Sequence, residues 1–294
     1  SAKSLASLLQ EMKNPILGVV SLFGSTERGT IDDIAAINQV LKKCHHRKIW
    51  HHIDAAYGGF FACVRKKSET YLSTQTAALK AVDSLTLDPH KLGYVPYGCG
   101  AFLCRQKKDY FYLSVDAPYI QFRSAQESGV QSIEGSRPAT GATATWLTAQ
   151  SLGFHSQGLG KLLQRHLRSK TIFQNYLKKK SENIFFTEGL DLNILCWTIN
   201  PPFYATKLAN SRIDKIFEEM PLGESLYFVS KTTLSLAKNP WLNHKLRDAG
   251  FRMDADSCHL IRMTLMNPFL ITQESKTSFI EDFTKRLELI LKSF

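Results

Sequence analysis

Two ionisable residues close apolar runs in the first third of the chain. Asp54 lies in His51-His52-Ile53-Asp54-Ala55-Ala56-Tyr57-Gly58-Gly59, and Lys91 ends Ser84-Leu85-Thr86-Leu87-Asp88-Pro89-His90-Lys91. Their separation of 37 positions leaves room for a helix and a loop joining neighbouring strands. Pro89 stops any helix at that point, so Lys91 is expected at a strand end, pointing into the fold. An acid and an amine at the lip of a parallel sheet suit pyridoxal 5'-phosphate, whose aldehyde needs a lysine and whose ring nitrogen needs a carboxylate. Lys91 would form the Schiff base, because a partly desolvated amine is the better nucleophile. Asp54 would keep the ring nitrogen protonated, and His90, Ser25 or Thr26 would hold the phosphate or ring oxygen. Gly58-Gly59 permits close backbone approach just past the acid. On spacing alone, an ordinary Asp54–Lys91 ion pair at a sheet edge remains open beside this reading.

The surrounding periodicity supplies the elements that would position these groups. Ile16–Phe23 is a continuous apolar run expected to be a strand buried on both faces. A helix follows to about Lys43, with Thr30 as its cap and Ile34, Ile37, Val40 and Leu41 at helical spacing. Ile49–Ala56, Ser84–Asp88 and Gly100–Arg105 read as strands and Thr74–Ala81 as a short helix, so βαβ units and a mostly parallel sheet are expected. Arg137–Leu152 reads as a tightly packed small-residue helix and Gly158–Lys179 as a longer one. After about Lys180 the pattern changes: Ile184–Asn200 alternates like an antiparallel pair, Ile213–Met220 is helical and His259–Met266 is a strand. Glu274–Phe294 is a terminal amphipathic helix with Phe279, Phe283, Leu287 and Leu291 inward. The division expected is a large α/β portion over residues 1–180 and a smaller α+β domain over residues 181–294.

Composition excludes several classes. With 294 residues, 44% of them apolar, the chain can bury a real core. It contains no apolar run long enough to span a bilayer and no signal-peptide pattern at its start. The formal charge of +11 comes from short clusters such as Lys178-Lys179-Lys180 without interleaved aromatics, which argues against nucleic acid and membrane surfaces as partners. Six scattered cysteines lack paired C-x-x-C spacing, so reduced thiols in a cytoplasm are expected and a zinc site is not. His51 and His52 would face opposite sides of a strand, and Ser136 lacks the G-x-S-x-G setting of a serine hydrolase.

HIDAAYGG followed by DSLTLDPHKLGYVPYG resembles the group II pyridoxal-phosphate decarboxylases, the family of glutamate, aromatic-amino-acid and tyrosine decarboxylases. FGSTERGTIDDI matches upstream, with Thr26 at a cofactor-contacting position and Asp32 at an acidic one. The likeness is strongest over Val19–Ala149 and Leu260–Pro268. It implies the type I, aspartate-aminotransferase-like fold, with Lys91 as the aldimine lysine, Asp54 as the pyridinium partner, Ala56 packing on the ring and His90 beside the cofactor. Many members carry Asn at position 88; the bacterial tyrosine decarboxylases, which LDPHKLGYVPY and IEGSRPATGATATWLTA most resemble, carry Asp. The resemblance therefore implies a carboxy-lyase of amino acid metabolism acting on tyrosine or another aromatic amino acid. It also implies a homodimer with a shared active site, in which Tyr119 sits on a loop that reaches the partner's site and reprotonates the α-carbon. Arg262, in HLIRMTLMNP, matches an arginine that faces the substrate carboxylate; as a residue pattern it is equally an anchor of the small domain.

Other readings stay open: a glutamate or other acidic amino acid decarboxylase, a carbon–carbon lyase of the sphingosine phosphate lyase type, and a non-catalytic scaffold. Family members carry a long N-terminal segment that supplies the ring-stacking group and phosphate loop. Residues 1–15 are too few for these, so the chain is expected to be a C-terminal portion that does not hold the cofactor tightly alone.

Overall fold

The computed structural model describes residues 1–44, 48–64, 70–114, 137–180, 184–187, 191–200, 205–223 and 226–293. The chain forms two compact units, one of Ser1–Ser25 with Ile31–Gly160 and the other of Thr26–Thr30 with Lys161–Phe294. The division thus falls after Gly160, where the sequence pattern suggested Lys180. The long helix beyond it joins the second unit because Phe173 and Leu177 are buried in that unit's core.

The first unit runs α1 (Ala2–Glu11), β1 (Gly18–Leu22), α2 (Ile34–Lys43), β2 (Trp50–Asp54), α3 (Tyr71–Ala78), β3 (Ser84–Leu87), β4 (Ala101–Cys104) and α4 (Thr140–Ser151). Its sheet has the order β1-β2-β3-β4. The first two pairings are parallel and the last is antiparallel, so the βαβ expectation holds and β4 turns back along β3. The start of α2 differs from the Thr30 cap expected: Asp33 is the N-cap, its Oδ1 accepting from the Ala36 N–H at 3.1 Å. Asp32 instead closes the end of β1, its Oδ2 accepting from the Leu22 N–H at 2.8 Å.

Alternation sorts the sheet into two faces. Ser21, His51 and Ile53 are buried on the face toward α2, where His51 Nδ1 donates to Asn38 Oδ1 and Nε2 meets Ser21 Oγ, each at 2.8 Å. Desolvation by burial lowers the His51 pKa, which suits a neutral ring whose tautomer is set by Asn38. The other face carries Val20, Leu22, His52, Asp54, Thr86 and Phe102. Val20 is 65% exposed, so β1 is buried on one face and not on both. α4 is likewise not the buried helix its small residues suggested: it has no buried residue, and Trp146 and Leu147 are exposed.

The second unit contains α5 (Leu159–Lys180, from Lys161 on), β5 (Ile184–Phe186), β6 (Ile194–Ile199), α6 (Thr206–Glu218), β7 (Ser230–Ser235), α7 (Pro240–Asp248), β8 (Ser257–Thr264) and α8 (Ser278–Lys292). Its sheet, β5-β6-β8-β7, is antiparallel throughout. Trp197 is fully buried at the centre of β6 and donates its Nε1–H to Met263 Sδ at 3.4 Å. On α8 the inward residues are Ile280, Phe283, Leu287 and Ile290, whereas Phe279, expected inward, is exposed. Phe283 and Leu287 are inward as expected, and only the ends of the stripe differ: Ile280 takes the place of Phe279, which one step of 100° turns away from the core, and Ile290 that of Leu291.

His166, on α5, is fully buried, and desolvation pushes its imidazole down to about 4. Folded His166 stays neutral while the unfolded chain takes up a proton near pH 6.5, so stability falls as pH drops from about 6.5 to 4, by roughly 3 kcal/mol in total. Urea titrations across that window are expected to show a shallower pH slope for His166→Leu than for the parent. Equal slopes would rule out this source of acid sensitivity.

Candidate functional site

β2 and β3 run parallel with Asp54 paired to Thr86, which places the end of each strand at the same edge of the sheet. Asp54, half-buried, accepts at Oδ1 from the Ala56 N–H (3.1 Å) and from Thr86 Oγ1 (3.3 Å). Both bonds land on one oxygen and fix the carboxylate's direction. The two motif loops are then joined directly, because the Asp88 N–H donates to the Ala56 carbonyl oxygen at 3.3 Å. Ala56 is half-buried within this junction.

The turn carrying Lys91 is closed by its own backbone: the Lys91 N–H donates to the Asp88 carbonyl oxygen (3.0 Å) and the Val95 N–H to that of Pro89 (3.1 Å). Tyr94 adopts φ 58° there, a conformation that a bulky residue takes at a cost of about 1–3 kcal/mol. Gly93 admits no larger residue, since a Cβ would lie 2.6 Å from the Pro89 carbonyl oxygen and 2.8 Å from the Phe60 ring. Lys91 is half-buried, and its Nζ pairs with Asp88 Oδ2 at 2.8 Å. The simple Asp54–Lys91 ion pair left open by spacing is therefore not the arrangement found: Asp54 is held by Thr86 and Ala56, and Lys91 by Asp88.

His90 Nε2 lies 3.8 Å from the same Asp88 oxygen. Its ring stacks on Tyr97 at 4.4 Å between centroids, and its Nδ1 lies against the Cys99 backbone, within 3.1 Å of that N–H. The Cys99 thiol in turn reaches the Gly141 carbonyl oxygen (3.3 Å) and Thr145 Oγ1 (3.1 Å) on α4. Ser25 is buried in the first unit. Thr26 and Arg262 belong to the second, where Arg262 Nε donates to the Thr26 carbonyl oxygen at 2.7 Å. Tyr119 lies outside the described residues.

The structure thus brings Asp54, Ala56, Asp88, His90 and Lys91 into one bonded group, and Thr26 and Arg262 into another. Sequence reasoning missed Thr86, Asp88 and Cys99 as partners. The i, i+3 spacing of Asp88 and Lys91 across a proline turn was a usable signal; the nine-residue reach from His90 to Cys99 left none.

Comparison with known proteins decides the family. The pyridoxal-dependent decarboxylase conserved domain matches residues 2–199. The chain belongs to this family. It is 29% identical over 229 residues to the L-tyrosine decarboxylase of Enterococcus faecium, covering 64% of this chain and 37% of that protein. It is 32% identical over 192 residues to a probable L-tyrosine/L-aspartate decarboxylase of Methanococcus maripaludis, covering 64% of this chain and 46% of the relative. Among solved structures, mouse CSAD superposes with a TM-score of 0.74 at 19% identity, over 99% of this chain and 56% of that one. Catharanthus roseus tryptophan decarboxylase gives 0.70 at 16%, over 99% and 55%. The fold is therefore that of the type I pyridoxal-phosphate decarboxylases, as the motifs implied. The chain spans less than half the length of the curated relatives it matches.

Gly93→Ala is expected to destabilise the first unit by about 1–3 kcal/mol through overpacking against Pro89 and Phe60. A lowered urea midpoint checks it. An unchanged midpoint would show that the Lys91 turn has slack the distances do not allow.

Proposed function

We propose that this chain carries the lysine-bearing part of a pyridoxal-phosphate-dependent carboxy-lyase that removes the α-carboxylate of an L-amino acid. The observation that carries this reading is the bonded junction of the Asp54 and Lys91 loops through Asp88 N–H and the Ala56 carbonyl oxygen. It holds an acid and an amine at one edge of a parallel sheet, the place where open α/β sheets bind ligands. The residues suit the cofactor chemically. Asp54 has both described bonds on Oδ1, which leaves Oδ2 to hold a proton on a ring nitrogen. Lys91, its side chain one-third exposed, supplies in Nζ the nucleophile for an aldehyde. His90, Ala56, Ser25 and Thr26 are the further groups that would line the cofactor. Bound pyridoxal phosphate supplies the electron sink for the bond broken at the α-carbon.

Tyrosine or another aromatic amino acid is the substrate class placed first, supported by the LDPHKLGYVPY likeness and the Enterococcus faecium relative; acidic amino acids stand second, supported by the tyrosine/aspartate relative. Arg262 would face the substrate carboxylate through its terminal nitrogens, since Nε is already given to Thr26. Tyr119 would return the proton to the α-carbon. The working unit would be a homodimer with a shared site, and the six unpaired cysteines agree with a cytoplasmic setting. Among the described residues no helix is long and apolar enough to cross a membrane.

The test is carbon dioxide release from the common amino acids by the protein together with any segment it needs. Lys91→Ala is expected to abolish release. Asp54→Asn is expected to lower it at least tenfold, because a charge-assisted hydrogen bond contributes about 1.5–3 kcal/mol. Activity surviving Lys91→Ala would overturn the reading. For Tyr119→Phe, carbon dioxide release is expected to continue while the yield of amine product drops; an unchanged amine yield would remove Tyr119 from the proton transfer.

A further inference from the structure

Asp88 has no task in the chemistry above, yet its side chain occupies the centre of the Lys91 turn. It is 20% exposed, with Oδ2 at 2.8 Å from Lys91 Nζ and 3.8 Å from His90 Nε2. Gly100 leaves the carboxylate its room, since a Cβ there would stand 3.2 Å from Asp88 Oδ1. The backbone holds both ends of the pair: the Asp88 N–H is bonded to Ala56, and the Lys91 N–H returns to the Asp88 carbonyl oxygen. Pro89 between them restricts the turn further. This is unlike a surface ion pair between two freely moving side chains, which contributes little because both must be ordered to meet.

An ammonium group has no lone pair and does not attack a carbonyl carbon. We infer that Asp88 is a latch on Lys91, a positioning residue that holds Nζ in place as the charged partner of an ion pair until an aldehyde competes for it. The inference deepens the proposed function and rests on Lys91 being the attachment point of pyridoxal phosphate. Releasing the latch breaks one N–H bond of Lys91, leaves its electron pair on Nζ and forms an O–H bond on Asp88 Oδ2. An ammonium and a carboxylate thereby become a neutral amine and a neutral acid, with no other reactant needed. The same carboxylate faces His90, so Lys91 and His90 share one anionic partner.

Reactivity of Lys91 toward an aldehyde reads the latch directly. The full chain is pulsed with formaldehyde and cyanoborohydride, and methylation of Lys91 is compared with that of exposed Lys3 by peptide mass spectrometry. The parent protein is expected to methylate Lys91 about tenfold more slowly than Lys3, the order set by a charge-assisted hydrogen bond that must break first. Asp88→Asn should abolish most of that lag, and Asp88→Glu should restore part of it. Equal rates for Lys91 and Lys3 in the parent, or an undiminished lag in Asp88→Asn, would overturn the inference. Because Lys91 is half-buried and Lys3 exposed, the change between parent and Asp88 variants carries the test and not the parent lag alone; should Asp88→Asn fail to fold, Asp88→Glu supplies that comparison. In the protein together with any segment it needs, pyridoxal 5'-phosphate with borohydride reports separately on the cofactor reading: no phosphopyridoxyl mass on Lys91 alongside an intact Asp88 effect would sink that reading and leave the latch standing.

Discussion

The parallel pairing of β2 with β3 is the constraint on which the site depends. Register opposes Asp54 to Thr86, and side chains at paired positions share a face. The hydroxyl of Thr86 is thereby delivered to the Asp54 carboxylate at 3.3 Å. A slip of one residue would send Asp54 to the face of His51 and Ile53, where burial without partners is costly. The apolar and polar residues of β2 therefore enforce the acid's position: Ile53 must go inward, His51 is satisfied by Asn38 and Ser21, and Asp54 is left at the other face.

From that register the rest of the turn follows. β3 ends at Leu87, and Asp88 reaches back to Ala56 with its N–H before Pro89 prevents any continued helix. Gly93 then lets the chain pass within contact of Pro89 and Phe60. Cys99 finishes the enclosure, its backbone meeting His90 and its thiol meeting α4. Each step uses a residue small or constrained enough for the space left by the previous one, which is why the DPHKLGY stretch reads as chemistry and as architecture together.

Much of this was legible in the amino-acid order. The strands at Trp50–Asp54 and Ser84–Leu87, and the antiparallel strands after Ile184, follow from apolar runs of strand length broken by glycine, proline and polar turns. What was not legible depended on neighbours that lie far off in sequence. The apolar run before Phe23 contains Val20 and Leu22, both exposed, and periodicity cannot say whether an apolar face is covered. β7 and α7 were missed because Ser230–Ser235 is mostly polar and Pro240–Asp248 is short; pairing to β8 and the buried Leu242 and Leu246 define them instead. The Thr30 cap was a local competition, and Asp33 prevailed because its carboxylate also accepts from Gln75 Nε2 on α3.

The segment Thr26–Thr30 shows where motif reading and packing part company. FGSTERGTIDDI is one continuous match in sequence, yet its central five residues pack with the second unit. Gly29, at φ +66°, lies against Leu192 and Ile194, Cys196 Sγ reaches the Glu27 carbonyl oxygen at 2.9 Å, and the Arg28 guanidinium sits 3.8 Å over the Trp241 ring. Burial lowers the Arg28 pKa despite Cys196, Asp191 and Glu27 around it. Arg262 contributes the fourth contact through Nε to Thr26. Of the two readings of Arg262, the Nε bond to Thr26 is the anchoring one; it does not use the two terminal nitrogens, the pair with which a guanidinium binds a carboxylate in two-point fashion.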